Sequence, residues 1–391
     1  MWRSARTFVL IAIMVMAGSL CGGMVQALVI PAGGPQLSAQ AAVLIDARNA
    51  DLLYEKNAFL QRDPASTTKI MTALLVIEHG HLNKIVTVSR RSDNTLGSSL
   101  HIHANHRYTR LDLLRGMLLR SGNDASVALA ESEAGTMERF VAEMNRKAQE
   151  LGAFNTSYEN THGLTRSGHY SSAYDLALIT RSALRLPVFR EIVRSQQMDI
   201  TEVSQHRTHT IRNTNQLLYG FLGADGVKTG TTDAAGHCLV ASATRDHRQL
   251  IAVVLNSGRR WSDAGRLLEW GFTATKTLKA VSPLQTIVHR KVMRTRKPDL
   301  AIGIESHQAL WVDVGVHDSI TKYVRVPKTL DAPIYRNSAI GWVTVESPIQ
   351  PPVRAALYPD RTVRPRFHPK RWWPHLGASL DTGECLQPGA D

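Results

Sequence analysis

Apolar residues come in short strand-like runs near residue 40 and again after residue 237, with helical spacing in between. The runs Ala42-Val43-Leu44-Ile45 and Leu52-Leu53-Tyr54 flank Asp46-Ala47-Arg48-Asn49-Ala50-Asp51, whose residues favour turns, so the pattern predicts a hairpin over 40–56. A helix is expected to open near Ser66, with Met71, Leu74, Leu75 and Glu78 in step, and to end at His79-Gly80. Leu111 to Ala130 reads as mostly helical, with a break at Ser121-Gly122-Asn123. Met137 to Gly152 sets Phe140, Met144 and Leu151 on one face, and Leu176 to Leu186 is a further helix that Pro187 is expected to stop. Cys238 to Ala243 and Leu250 to Leu255 flank the polar stretch Thr244 to Arg248 and predict a second hairpin, after which Ala264 to Trp270 returns to helix. Strands, then helices, then strands imply an α+β fold built on an antiparallel sheet.

Past residue 276 the texture changes. Thr286-Ile287-Val288, Leu300-Ala301-Ile302, Ala309-Leu310-Trp311-Val312, Tyr323-Val324-Arg325-Val326 and Trp342-Val343-Thr344-Val345 recur at the spacing of a small all-β module, whose end Pro348, Pro351 and Pro352 are expected to mark. The expected division is 35–275, 276–357 and a basic tail, 358–391. That tail holds Arg364, Arg366, Lys370, Arg371, Trp372 and Trp373, and Pro365, Pro369 and Pro374 argue against a continuous helix through it. A segment of tryptophan and arginine suits an anionic membrane interface, and a solvated tail suits the same residues equally. At the other end, Arg3 and Arg6 precede the apolar run Phe8 to Leu20, and Val25-Gln26-Ala27 follows with small residues suited to signal peptidase. Residues 1–27 are expected to be a secretory signal peptide cleaved after Ala27, since the apolar run falls short of the ~20 residues a membrane span needs. Export to the periplasm or cell envelope follows.

Composition narrows the function classes. The chain has 391 residues, 43% apolar and 20% charged, which is ordinary for a folded protein of two or three domains. Its 46 Lys and Arg against 33 Asp and Glu suit an anionic partner. No zinc-finger spacing or RNA-binding signature accompanies that charge, so nucleic acid is not the expected partner. Of three cysteines, Cys21 would leave with the signal, Cys385 lies in the tail and Cys238 sits in a core-like run, so no disulfide framework is indicated. Leu20 is too large for a lipoprotein signal at Cys21. His101, His103 and His106 lack a carboxylate or cysteine to complete a ligand set, and no metal or other cofactor is expected.

Three short elements carry the chemistry: Ser66-Thr67-Thr68-Lys69, Ser121-Gly122-Asn123 and Lys228-Thr229-Gly230. Each alone is weak, and together in this order they are specific. On a helix, positions i and i+3 share a face, so Lys69 comes within reach of the Ser66 hydroxyl. A serine hydroxyl becomes a nucleophile when a base takes its proton, and Lys69 serves as that base only when neutral. Burial and a nearby cation such as Lys228 would depress its pKa. The N–H groups at the start of the Ser66 helix can hold a developing oxyanion. Lys228 brings positive charge to a substrate carboxylate, and Thr229 adds a hydroxyl. Gly230 leaves room for an extended peptide to lie against the strand as an added strand. Ser121 and Asn123 supply a proton relay and an orienting amide.

On these residues the chain resembles the low-molecular-mass penicillin-binding proteins, the D-alanyl-D-alanine carboxypeptidase family of serine peptidases. Asp63 to Thr72, Leu118 to Ala125, Asp225 to Thr232 and Cys238 to Arg245 resemble the family's motif segments, and His162-Gly163-Leu164 and His169 to Ala177 resemble its signatures between them. The likeness is strong over about 35–275 and weaker over 276–357, where the family carries a β-rich second domain. It implies a β-lactamase/transpeptidase-like catalytic domain, with Ser66 as the acylated nucleophile and Lys69 as its base. Ser121 and Asn123 match the second motif. Lys228, Thr229, Gly230 and Arg260 fall on the substrate-carboxylate side, and the oxyanion would rest on the N–H groups of Ser66 and Thr231. Peptidoglycan stem peptides would be the substrates and β-lactams the covalent inhibitors. The family often ends in an amphipathic membrane helix, and this proline-interrupted tail departs from that pattern. Class A β-lactamases carry Ser-Asp-Asn where this chain has Ser121-Gly122-Asn123, and they need a glutamate for deacylation; neither Glu78 nor Glu131 sits in a pattern typical of one. A D,D-endopeptidase of cross-linked stems, or a non-catalytic envelope protein on the same fold, are the other readings.

Overall fold

The computed structural model describes residues 34–297 and 299–366. The signal-peptide reading of 1–27 and the part of the tail holding Lys370, Arg371, Trp372, Trp373 and Cys385 lie outside the described residues. The first hairpin is present as β1 (Ala41–Asp46) and β2 (Leu52–Lys56). The helix expected from Ser66 opens instead with a tight 3₁₀ turn, Ala65–Thr68, which runs into α1 (Lys69–His79). Residues Lys69 through Val76 are all buried, and a helix enclosed on every side belongs at the centre of a domain. β3 (Ile85–Thr87), α2 (Arg90–Asp93) and β4 (Arg107–Thr109) form a small outer layer, with β3 pairing β4.

The expected broken helix is two helices, α3 (Arg110–Leu119) and α4 (Asn123–Ala134). α5 (Met137–Glu150) and α6 (Ala173–Ala183) follow, and the Thr109, Thr136 and Ser172 side chains cap α3, α5 and α6 by accepting backbone N–H groups. Pro187 does not stop α6, which has already ended. It opens α7 (Pro187–Arg194) at the first helical position, where its missing N–H costs nothing. β5 (Gln197–Glu202) and β6 (Arg207–Arg212) make a hairpin that the apolar pattern does not announce, because most of its residues are polar and face outward.

β7 (Ala224–Thr232), β8 (Gly236–Arg245) and β9 (Arg248–Leu255) complete a five-stranded antiparallel sheet in the order β2-β1-β9-β8-β7, and α8 (Arg260–Ala274) packs on it. Both faces of the sheet are covered. Ala41, Val43, Ile45, Val240, Ile251 and Val253 point toward α1 and α3–α7, while Ala42, Leu44, Leu239, Ala241, Leu250 and Val254 point toward α8. That is why the central strands read as unbroken apolar runs rather than as alternating ones.

The remaining strands are β10 (Thr275–Val281), β11 (Thr286–Met293), β12 (Ala301–Ser306), β13 (Leu310–Gly315), β14 (Thr321–Arg325), β15 (Thr329–Asp331), β16 (Gly341–Ser347) and β17 (Gln350–Pro359). β10 pairs β13, the other six run β14-β16-β17-β12-β11-β15, and they enclose an apolar cluster of their own. Pro348, Pro351 and Pro352 do not end this region. Pro348 sits in the β16–β17 turn and the other two lie in the first residues of β17, where proline is tolerated; pairing continues to a bridge between Ile334 and Val363. Among the described residues no helix is long and apolar enough to cross a membrane.

Candidate active site

The three sequence elements converge where the 3₁₀ turn, the start of α4 and the edge strand β7 meet. Lys69 is completely buried at the head of α1, and its Nζ lies 2.9 Å from Ser66 Oγ, 2.7 Å from Asn123 Oδ1 and 2.8 Å from the His162 carbonyl. The Asn123 amide is fixed in this orientation, because its Nδ2 donates to the Leu96 carbonyl at 2.6 Å. A neutral amine has two N–H bonds and one lone pair. Asn123 and His162 accept both N–H bonds, which leaves the lone pair toward the Ser66 hydroxyl. Burial, with Lys228 next in effect, holds Lys69 well below the usual lysine range against an opposing pull from Asp124.

Ser66 is the partly open member of this network, while Thr67, Thr68 and Lys69 are closed off. Its turn is braced from behind. The His169 Nδ1 accepts the Glu159 N–H at 3.0 Å, so the Nε2–H faces Thr68 Oγ1 at 3.0 Å, and that hydroxyl donates to the Ala65 carbonyl at 2.8 Å. Burial holds His169 down to about 4 and His162 down to about 3, so both rings are neutral at pH 7. At Gly163, where φ is +90°, a Cβ would fall 1.8 Å from the Ala65 carbonyl oxygen. Only glycine lets the His162 carbonyl come this close to the serine turn.

β7 forms the opposite wall. Lys228, Thr229 and Gly230 all lie within it, ahead of β8 with Cys238, and β7 is an edge of its sheet. Lys228 is completely buried, donates to the Thr229 carbonyl at 3.0 Å, and is pushed down to about 7 by burial and Arg260. A Cβ at Gly230 would meet Ser66 N at 3.1 Å and Ala65 Cβ at 3.0 Å, so its absence keeps the Ser66 N–H open to the cleft. Thr231, one residue on, is exposed. Arg260 reaches back from the start of α8 to bond the Gly230 carbonyl at 3.0 Å and Thr231 Oγ1 at 2.8 Å, with its guanidinium over the Trp261 ring.

Ser121 is brought to the same place but not into the same network. It is buried, with φ at +65°, between the end of α3 and the start of α4, and the three hydrogen bonds of Lys69 go elsewhere. Thr214 was not legible as a site residue. Its hydroxyl bonds that of Thr229 at 2.8 Å, and nothing in Asn213-Thr214-Asn215 announces it. The Leu96 and His162 contributions are carbonyls, which no side-chain pattern reports. In the histidine group, His103 lies 3.3 Å from Asp93, a carboxylate that the local sequence did not supply, and packs edge-on to His106. Among the described residues no set of three metal-binding side chains comes together.

A serine hydroxyl held against a buried lysine whose charge burial disfavours, beside an edge strand with cationic side chains, is the apparatus of an acyl-transferring serine enzyme. The chain belongs to the D-alanyl-D-alanine carboxypeptidase family, whose sequence profile matches residues 29–258. It is 33% identical over 317 residues to the D-alanyl-D-alanine carboxypeptidase DacF of Bacillus subtilis, covering 79% of this chain and 81% of the relative. It is also 33% identical over 332 residues to DacA of Escherichia coli, covering 80% and 81%. Penicillin binding protein 5 from Haemophilus influenzae superposes with a TM-score of 0.72 at 29% identity, over 85% of this chain and all of that one. The Streptomyces K15 DD-transpeptidase superposes at 0.59 with 32% identity, over 61% of this chain and 99% of that one.

Proposed function

We propose that the protein removes the terminal D-alanine from peptidoglycan stem peptides through an acyl-enzyme on Ser66. The observation that carries this reading is the buried Lys69 Nζ, 2.9 Å from Ser66 Oγ and held there by Asn123 Oδ1 and the His162 carbonyl. The stem peptide lies along β7 as an added strand, with its terminal carboxylate toward Lys228, Thr229 and Arg260. Lys69 takes the Ser66 proton as Oγ attacks the carbonyl between the two D-alanines, and the oxyanion rests on the N–H groups of Ser66 and Thr231. The amine of the last D-alanine leaves with a proton passed through Ser121, while Asn123 holds Lys69 and the stem in register. Water, deprotonated by Lys69, then attacks the ester and frees Ser66. A bound carboxylate restores to Lys228 the charge that burial disfavours in the empty cleft.

The division into a catalytic domain over 35–275, a β-rich domain and a basic tail belongs to the same reading. The transpeptidase that matches over 99% of its own length but only 61% of this chain supports it. So does export, since the substrate lies outside the cytoplasm. The test incubates purified protein with a free D-Ala-D-Ala pentapeptide and with a cross-linked stem dimer. Release of one D-alanine from the pentapeptide with the dimer intact is expected. Cleavage of the dimer alone would assign the endopeptidase activity instead, and no cleavage of either would leave the non-catalytic reading.

A further inference from the structure

The outer face of the six-stranded sheet is unlike its inner face. Along β16, Val343 and Val345 point into the apolar cluster, while Trp342, Thr344 and Glu346 point out. Across the ladder Trp342 pairs with Arg325 and Ala356, and Thr344 pairs with Tyr323 and Arg354. Strand pairing therefore puts Tyr323, Arg325, Trp342, Thr344 and Arg354 on one surface. Trp342 and Tyr323 are 52% and 53% exposed, which is costly for such large rings unless something covers them in use. Two adjoining concavities of about 400 and 240 Å³ run over this face and share Trp342 and Arg354. The second reaches His307, which stacks on Tyr358 with ring centroids 4.1 Å apart. Among the described residues neither Arg325 nor Arg354 is in an ion pair. β14 is an edge strand, so the groove is open on that side.

We infer that this face is a second binding surface, and that it holds the amino-sugar strand from which the stem peptides hang. The inference rests on the peptidoglycan reading above. The C–H faces of pyranose rings stack on exposed aromatic rings, and two such rings beside an open groove fit a linear polymer. Thr344 and Gln308 can meet hydroxyl and acetamide groups, and the Arg325 and Arg354 guanidinium groups, in no ion pair among the described residues, fit the carboxylates of stem peptides that hang from the strand. Charge agrees: between residues 275 and 366 there are fifteen Lys and Arg against seven Asp and Glu. Polar side chains interleaved with the rings disfavour a hydrophobic protein partner. The surface would keep the enzyme on the polymer while stems are trimmed in a separate cleft.

The test uses the full chain acylated with benzylpenicillin, so that the cleft is blocked, and soluble uncross-linked peptidoglycan strands as probe. Binding of the acylated protein is expected, and Trp342→Ala combined with Arg354→Ala should weaken it about tenfold or more, the scale of one lost charge-assisted contact. The Trp342→Phe variant should keep most of it. With free pentapeptide, kcat/KM of the double variant should match that of the parent, and with polymeric strands it should fall. Unchanged polymer binding in the double variant would overturn the inference. So would binding of anionic lipid vesicles that depends on the same residues while polymer binding does not. Failure of the parent to cleave free pentapeptide, with polymer binding intact and Trp342-dependent, would sink the catalytic reading and leave this one standing.

Discussion

Two buried clusters of like charge sit in this molecule, and only one of them faces a nucleophile. In the cleft, Lys69 and Lys228 are enclosed together and each is pushed toward its neutral form. Where the first sheet meets β10 and β13, Asp46, Asp51 and Asp313 are enclosed together instead. Arg248 bonds Asp46 at 2.9 Å and Asp313 at 3.0 Å, Thr277 donates to Asp313 at 2.5 Å, and Asn49 reaches both Asp51 and Asp313. Burial, then Asp313 and Asp46, push Asp51 up to about 7, and burial and Asp46 raise Asp313 as well. Both clusters store electrostatic cost. The carboxylates answer it with Arg248, which ties β1 and β9 to β13, and with raised affinity for a proton. Among the described residues the lysines are in no ion pair with a carboxylate, so the cost favours loss of a proton, which suits Lys69 to act as a base. A perturbed ionisation marks a site only when the perturbed atom also meets a reactive partner and an opening.

The largest effect should come from Lys69→Ala. Penicillin acylation should fall by ~10²–10⁴-fold or more with the unfolding temperature little changed, since a general base is lost. Near-normal acylation would remove Lys69 from that role and dissolve the contrast between the clusters. Arg248→Met should do the reverse. Breaking a buried pair and stranding its partners costs about 3–5 kcal/mol, so thermal unfolding should move sharply down while the folded fraction acylates normally. Adding Asp313→Asn should recover part of that loss. An Arg248 variant that loses acylation as Lys69→Ala does would show that the two clusters act as one.

Lys228→Ala separates two roles within the cleft. If Lys228 reads the terminal carboxylate, the free-acid substrate should lose about 1.5–3 kcal/mol more in kcat/KM than its C-terminal amide. Equal losses would mean that Lys228 only tunes Lys69, and the carboxylate would pass to Arg260. The smallest effect is in pH. From about 4 to about 7 folded Asp51 keeps a proton that an unfolded carboxylate, at 3.8, has released, so its contribution to stability falls as pH rises through that window. His162 and His169 act in the opposite sense: below 6.5 the unfolded chain takes up protons that the folded rings refuse, so their contribution is lost as pH falls toward about 3. Asp51→Asn should therefore raise the unfolding temperature at pH 8 and not at pH 4, and a gain equal at both would contradict the raised Asp51.

The same contrast explains what could be read from the chain. Ser66 and Lys69 are three residues apart, so helical geometry alone brings them together, and Lys228-Thr229-Gly230 is a contiguous strand segment with its own chemistry. The central strands were legible because burial on both faces leaves unbroken apolar runs. The carboxylate cluster was not, because Asp46 to Asp51 carries ordinary turn residues and its partners lie far along the chain, Arg248 202 residues after Asp46 and Asp313 264 after Asn49. The prolines misled for a local reason: they open elements here, α7 at Pro187 and β17 after Pro348, where the sequence suggested endings. Thr214 and the carbonyls of Leu96 and His162 stay silent because tertiary packing gives them their roles.

The central claim is that Ser66 is acylated and that, among the described residues, no carboxylate hydrogen-bonds to it or to Lys69 to clear the ester quickly. Intact-mass spectrometry of the protein after exposure to benzylpenicillin, followed by peptide mapping, tests it most directly. A single persistent adduct on the peptide carrying Ser66, absent from Ser66→Ala, is the expected result. An adduct on another residue, or rapid penicillin hydrolysis with no adduct, would contradict it.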